Sequence, residues 1–600
     1  MKTPRLLPFA FLLVVSATLL RALPVQDVVA SKAPPVLSPL LPSDVRIGGW
    51  LGARIDANVS HRLLVVDTDA LLEGYRHRPG SQPWIGEHVG KWIHAATLAW
   101  LYSGDPALRR KLDSVVASLI STQEPDGYLG TYAPGKRFGL YEDADWDVWC
   151  HKYNLIGLLT YYRYTGEPSA LAAARRMGDL LCATFPAKRS ILDAGTHMGM
   201  AATSVLSPMV DLYRLTGEPR YLDFTRYILS AYEEKGGPDI VRALLAGRSV
   251  DRVANGKAYE MLSNLVGLAE LYQVTGDPRL LKADQNAWND IVQNRLYVTG
   301  TASVRERFSN DHELPNGEAA HLGETCVTTT WIQLNGALLA ATGESKYADQ
   351  IERSLYNHIA AAQQPGDGDW CYYTPLEGVR HYDKEITCCH SSGPRALALA
   401  PTFAYLQSGD VLCVNTLETS SGRFRVGGEA VEISEQSGFP YEGRTTLTVR
   451  APGGASFGLR VRAPAWAEPI RAEGAESQGG WISFPRRAWR DGEEVHVTFN
   501  LGSRMLRGDY TNYSRVAYTW GPFVLALDMA NVHDSGLIEA PQFMRVIDDR
   551  LPSLVSDPGR LQLTLPVRGE WGMEPHAVTL VPFADAGEQG KPYAVWLRAP

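Results

Sequence analysis

The chain has 600 residues, 45% of them apolar and 21% charged, with a net charge of −8. That length supports more than one domain, and the acidic balance leaves no basic footprint for nucleic acid. The 15 Trp and 27 Tyr are compatible with flat sugar-stacking faces and equally with an aromatic core.

The N-terminus reads as an export signal. Lys2 and Arg5 precede the apolar run "LLPFAFLLVVSATLL" at 6–20, and Ala22 or Ala30 can serve as the cleavage point. The run is short for a membrane span, so the mature protein is expected to be secreted or periplasmic, with no stable span once residues 1–30 are removed.

Helical runs follow, punctuated by an imperfect repeat: "LYSGDP" (101–106), "YRYTGEP" (162–168), "YRLTGEP" (213–219), "YQVTGDP" (272–278) and "LAATGES" (339–345). In each, Gly stands where a helix closes in the left-handed conformation, and an acid, usually with Pro, opens the next helix. Apolar residues recur at i, i+3 and i+4 between them. Paired helices that each bury one face predict a closed helical toroid over 31–410.

Beyond residue 410 the period changes to two. "RFRVGGEAVEI" (423–433), "TTLTVRA" (445–451), "FGLRVRA" (457–463), "EEVHVTF" (493–499) and "RVAYTWGPFVLAL" (515–527) alternate between Gly, Pro and Asp-Gly turns. They predict an antiparallel β-sandwich over 411–530, with 531–600 a second small β module or an extension. The whole is a multidomain α+β chain.

Seven cysteines are present, at 150, 182, 326, 371, 388, 389 and 413. An oxidising compartment favours bridges among them, but Cys388 and Cys389 are adjacent, about 3.8 Å apart at Cα, too close for an ordinary disulfide. "LGETCVTT" (322–329) adds Glu324 and Cys326 two residues apart. Three thiols and a carboxylate suit a tetrahedral Zn²⁺ site; buried free thiols beside a surface acid are the alternative. His321 and His390 are further donors of the right chemistry. No G-x-G-x-x-G after a strand, P-loop, G-x-S-x-G or H-E-x-x-H occurs, which argues against nucleotide cofactors, serine-hydrolase chemistry and zincin-type proteolysis.

The combination of "GETC" with the cysteine pair, "EPDGYLGTY" (124–132), "YNHIAAAQQ" (356–364), "WCYYTPLEG" (370–378) and "YEGRTTLTVRAP" (441–452) resembles glycoside hydrolase family 127, the β-L-arabinofuranosidase family, from about residue 50 to about 530. The resemblance implies an (α/α)6 barrel followed by β-sandwich modules. It implies zinc held by Glu324, Cys326, Cys388 and Cys389, with Cys388 also the nucleophile. The family's acid/base Glu precedes a Leu-Pro-Asn, and in "VRERFSNDHELPN" (304–316) the matching residue is Glu306. This chain departs from the family where its Gly-Glu-Ala-Phe is "RERF" and its Gly-His-Ala is "GKAYE", which puts Lys257 in a histidine's place. His151, His197 and Tyr372 are the other candidate sugar-binding residues. The resemblance implies a retaining glycosidase releasing β-L-arabinofuranose or a related sugar from plant-type glycans. The alternatives are another exo-glycosidase specificity on the same site, a silent glycan-binding protein, and a polysaccharide lyase using a Tyr, His or Lys base.

Overall fold

A computed structural model describes residues 24–139, 146–532, 540–555, 560–569 and 574–600. The apolar run at 6–20 and Ala22 lie outside the described residues. Among those described, no helix is long and apolar enough to cross a membrane.

Helices occupy the first two thirds of the chain. Besides Thr68–Arg76 and several shorter helices, they are α1 (Gly49–Ala57, prolonged by a π turn over Asn58–Leu63), α2 (Glu87–Ser103), α3 (Pro106–Ser121), α4 (Asp147–Thr165), α5 (Pro168–Thr184), α6 (Leu206–Thr216), α7 (Pro219–Tyr232), α8 (Ala258–Thr275), α9 (Pro278–Asn294), α10 (Thr325–Thr342), α11 (Ser345–Arg353) and α12 (Cys388–Leu399). The even-numbered helices touch in sequence, α2 to α4, α6, α8, α10 and α12, and α12 returns to α2. Each odd-numbered helix packs against an even-numbered one. The sequence explains the division of labour. Helices α8 and α10 are apolar or small on nearly every face and are buried nearly throughout. By contrast, α9 buries only the stripe Leu280, Ala283, Asp284, Ala287, Trp288 and Ile291. Helices α2 and α4 cross where Gly90 faces Gly157: a Cβ on Gly90 would lie 2.2 Å from the Tyr153 carbonyl oxygen.

The repeat performs as expected at its closing end. Gly104, Gly166, Gly217, Gly276 and Gly343 each end a helix at φ near +70°. Asp105, Glu167 and Asp277 accept hydrogen bonds from the first backbone N–H groups of α3, α5 and α9. Residues 24–30, assigned to the leader from sequence, lie instead across these helix ends. Backbone N–H groups of Val25, Val28, Ala33 and Val36 donate in turn to the carbonyls of Arg163, Arg214, Gln273 and Ala340. Asp27 bridges Arg163 (2.7 Å) and Arg214 (2.8 Å). Cleavage after Ala22 would keep these contacts, and cleavage after Ala30 would remove several of them.

The remaining chain forms sheets. One six-stranded sheet runs Ser38–Pro39, Tyr405–Ser408, Val411–Val414, Ser456–Arg462, Trp481–Ala488, Glu476–Gln478. A second runs Ile470–Ala472, Glu493–Phe499, Arg444–Arg450, Glu429–Ser437, Ser420–Val426, Val45–Ile47. Alternation along Ser420–Val426 and Glu493–Phe499 buries every second residue, as a half-covered strand requires. The pairing is not purely antiparallel, since Val411–Val414 lies parallel to Ser456–Arg462. The segment 515–527, expected in this sandwich, pairs elsewhere: Arg515–Trp520 and Phe523–Asp528 join Leu563–Arg568, His576–Pro582 and others in a ten-stranded sheet. That sheet also takes in Glu377–Gly378 from the helical region. All seven cysteines are free, so no structural bridge is needed to hold these layers.

Candidate active site

Two helix starts bring the sulfurs together. Glu324 is the N-cap residue of α10, with Cys326 in its first turn, while Cys388 and Cys389 open α12 behind the N-cap Thr387. Because α10 and α12 are neighbours, residues more than sixty positions apart in sequence meet. One ligand atom from each of Glu324, Cys326, Cys388 and Cys389 lies within 4.8 Å of every other. Cys326 Sγ and Cys389 Sγ are 3.5 Å apart, and Cys388 Sγ is 3.9 Å from Cys389 Sγ. His390 is outside the set, its Nε2 lying 2.8 Å from Asp383, and His321 packs its ring on Tyr373.

These four residues fit a soft divalent cation. Glu324 is buried and its Oε2 has no hydrogen-bond partner; burial pushes its carboxyl well above the usual range. Cys389 is pushed up by burial, and Cys388 chiefly by its hydrogen bond with Cys326. Only Cys326 comes down, to about 6: burial opposes its ionisation, but hydrogen bonds from Cys388 and Cys389 and the Lys91 charge prevail. A metal cation is the natural counter-charge for a buried cluster with one carboxylate and three sulfurs. Lys91, itself fully buried, donates to the Cys388 carbonyl (3.2 Å) and pairs with Glu87 (3.1 Å).

Glu306 stands on a tight turn in which Arg305 (φ 47°) and Glu306 (φ 64°) are both left-handed, a conformation costly for side-chain-bearing residues and concentrated at functional sites. Its carbonyl accepts from Ala258 N–H at the start of α8. Its carboxylate takes Lys257 Nζ at 2.5 Å and the hydroxyls of Tyr372 (2.9 Å) and Tyr373 (2.8 Å). Burial raises this carboxyl, but Lys257 and the two tyrosines outweigh it and hold it below the usual range. The Tyr372 hydroxyl also lies 3.2 Å from Cys388 Sγ. One phenol therefore spans the two groups assigned to chemistry, placing them within two hydrogen-bond lengths of each other.

Both groups open on a cavity of about 410 Å³, in the size range of small-molecule sites. Glu306, Glu324, Cys388, Lys257 and Tyr372 line it, together with Trp84, Trp146, Trp149, Glu87 and Glu260. Two candidates from the sequence do not. His151 is packed into the wall against Tyr128 and Phe138, its Nδ1 bonded to the Asp147 carbonyl (2.9 Å). Its place on α4 turns it away from the opening that Trp149, two residues earlier, faces. His197 stands behind the lining, 3.9 Å from Glu260 and edge-on to Trp146. Trp84, Trp146, Trp149, Glu87 and Glu260 carried no motif, and Tyr373 was present in "WCYYTPLEG" without being singled out. Only the i, i+3 pair Trp146 and Trp149 at the start of a helix hinted at a shared aromatic face.

Comparison with known proteins follows the same lines. Residues 54–401 match the family described as "Beta-L-arabinofuranosidase, GH127 catalytic domain", and residues 411–501 match its middle domain. A non-reducing end β-L-arabinofuranosidase of Bifidobacterium longum subsp. longum is 26% identical over 437 residues, covering 63% of this chain and 64% of that protein. The chain thus spans somewhat under two thirds of that relative's length. A solved GH127 β-arabinofuranosidase superposes with TM-score 0.81 at 21% identity, over 95% of this chain and 98% of that one. A GH127 β-L-arabinofuranosidase from Geobacillus stearothermophilus T6 gives 0.79 at 22%, over 93% and 100%. The catalytic-domain match alone covers more than half of the sequence, and the chain belongs to glycoside hydrolase family 127.

Proposed function

We propose that this protein is an exported, retaining glycoside hydrolase that removes β-linked L-arabinofuranose, or a closely related sugar, from plant-type glycans. Its even-numbered helices are read as the inner ring of an (α/α)6 toroid reaching to about residue 410, followed by two β modules. Secretion or delivery to the periplasm is read from the basic and apolar pattern of the leader expected within residues 1–30. The observation that carries the reading is the Tyr372 hydroxyl shared by Cys388 Sγ (3.2 Å) and the Glu306 carboxylate (2.9 Å) at the cavity floor.

Zinc, held by Glu324, Cys326, Cys388 and Cys389, would keep the thiols ionised at neutral pH, where a free thiol near pKa 8.5 is mostly protonated. Cys388 Sγ then forms a bond to the anomeric carbon as the glycosidic C–O bond breaks, and Glu306 gives its proton to the departing oxygen. In the second half Glu306 takes a proton from water, which attacks the anomeric carbon from the face the leaving group vacated and displaces the sulfur as thiolate; two inversions retain the configuration. A sulfur thus replaces one carboxylate of the usual retaining pair. Lys257 holds Glu306 as a carboxylate, the form the second half uses. The first half requires that this ion pair loosen when substrate enters. Buried Lys91, bonded to the Cys388 carbonyl, fixes the α12 start against α2.

The test is turnover of purified protein on p-nitrophenyl glycosides, furanosides included, with the product anomer read by NMR. Release of β-L-arabinofuranose with retention is the expected result. Preference for another sugar with retention would leave the mechanism and change the specificity. Inversion, an unsaturated lyase product, or binding without turnover would overturn the proposal.

A further inference from the structure

Glu260 occupies the first turn of α8, one turn beyond Lys257. An acid there ordinarily serves the helix terminus, either through the dipole or by reaching back to the N-cap backbone N–H. Here the N–H of Lys257, the N-cap residue, is already bonded to Asn255 Oδ1 (3.3 Å). The Glu260 side chain is 1% exposed yet forms part of the cavity lining. Its Oε1 lies 3.9 Å from His197 Nε2 and 4.0 Å from Lys257 Nζ, and its Oε2 has no hydrogen-bond partner. His197 is itself held in place by Asn255 (3.1 Å) and by a left-handed backbone it shares with Met198 (φ 57° and 58°). A strained loop thus backs a buried carboxylate that lines the cavity and has one oxygen without a hydrogen-bond partner.

Leaving such an acceptor unmet is costly, more so for a charged one. A hydroxyl donor from a ligand satisfies it; an anionic group does not. Outside the proposed metal ligands, the acidic side chains Glu87, Glu306 and Glu385 also line the cavity, with Lys257 as the cation among the lining residues. We propose that Glu260 is a specificity-determining residue that accepts a hydrogen bond from a ring or side-arm hydroxyl of the terminal sugar, restricting the site to neutral sugars and against uronates or phosphorylated sugars. This deepens the glycosidase reading and rests on it for the choice of sugar.

The experiment measures binding separately from turnover, by calorimetry on the full chain. Methyl β-L-arabinofuranoside is compared with its 2-, 3- and 5-deoxy forms and with the corresponding uronate. For the unaltered protein one deoxy form should bind about 10–100-fold more weakly than the parent, the range of a hydrogen bond to a charged group. Glu260→Gln should bind the parent about tenfold more weakly and lose its discrimination against that one deoxy form. Glu260→Asp, which keeps the charge but withdraws it by one methylene, provides a second variant if the amide fails to fold. The uronate should not bind. Equal weakening towards every ligand, unchanged binding, tight uronate binding, or no binding of any neutral furanoside overturns the assignment. Selective binding without hydrolysis leaves Glu260 in this role and removes the proposed activity instead.

Discussion

Glu306 is subject to opposed forces: a half-buried carboxyl is pushed towards the acid form, while Lys257 at 2.5 Å and two phenols hold it ionised. A general acid must carry its proton, so kcat/KM declines as pH rises through its pKa. Lys257→Met removes the cation and leaves burial dominant, which raises that pKa. The alkaline limb of the kcat/KM profile should therefore move to higher pH; a limb that stays put would free Glu306 of the acid role. Glu306→Gln should cost about 10²–10⁴-fold on alkyl glycosides and much less on nitrophenyl ones, whose leaving groups need no proton. Cys388→Ser places a far less acidic and harder oxygen in the cluster, so turnover should fall to background. A furanose carrying an epoxide or haloacetamide should label Cys388, as read by peptide mass spectrometry. Labelling of a carboxylate would point to a two-carboxylate mechanism.

The helix caps differ in what surrounds them. Gly104 and Gly343 share a left-handed φ of 70° and 74°, and adding a Cβ in that conformation costs about 1–2 kcal/mol by itself. At Gly104 a Cβ would meet nothing within 4 Å, whereas at Gly343 it would lie 2.9 Å from Val36 Cγ1. Gly343→Ala should therefore destabilise more than Gly104→Ala in chemical denaturation, and it alone should open residues 24–41 to protease. Equal behaviour would mean that the N-terminal segment contributes little to closing the helix ends. The caps themselves are legible in the repeat, because Gly followed by an acid and Pro is a local signal. The path of the N-terminal segment along them is not, because its backbone bonds go to carbonyls more than a hundred residues away.

For the whole molecule the metal is the decisive quantity. Three sulfurs and Glu324 make a closed donor set, so elemental analysis should give about one zinc per chain. Chelation should abolish turnover and lower the melting temperature, since a cation that binds only the folded chain stabilises it. No metal in carefully reduced protein, or a Cys388–Cys389 disulfide in active protein, would remove the site. Sequence by itself determined the helical repeat with its caps and the change to period two near residue 410, because each is written in local spacing; Glu324, Cys326, Cys388 and Cys389 stood out as candidate ligands beside His321 and His390, and the resemblance to the family picked out the four. Tertiary structure decided what local spacing cannot carry. It put His151 in the wall, since two residues along a helix reverse the face a side chain presents, and it set His197 on a left-handed loop beside Glu260. It moved 515–527 into the third sheet, since alternation fixes a strand's faces but not its partner. And it brought Trp84, Trp146, Trp149, Glu87 and Glu260 to the site, residues that bear no motif and act together only where separate helix starts and loops converge.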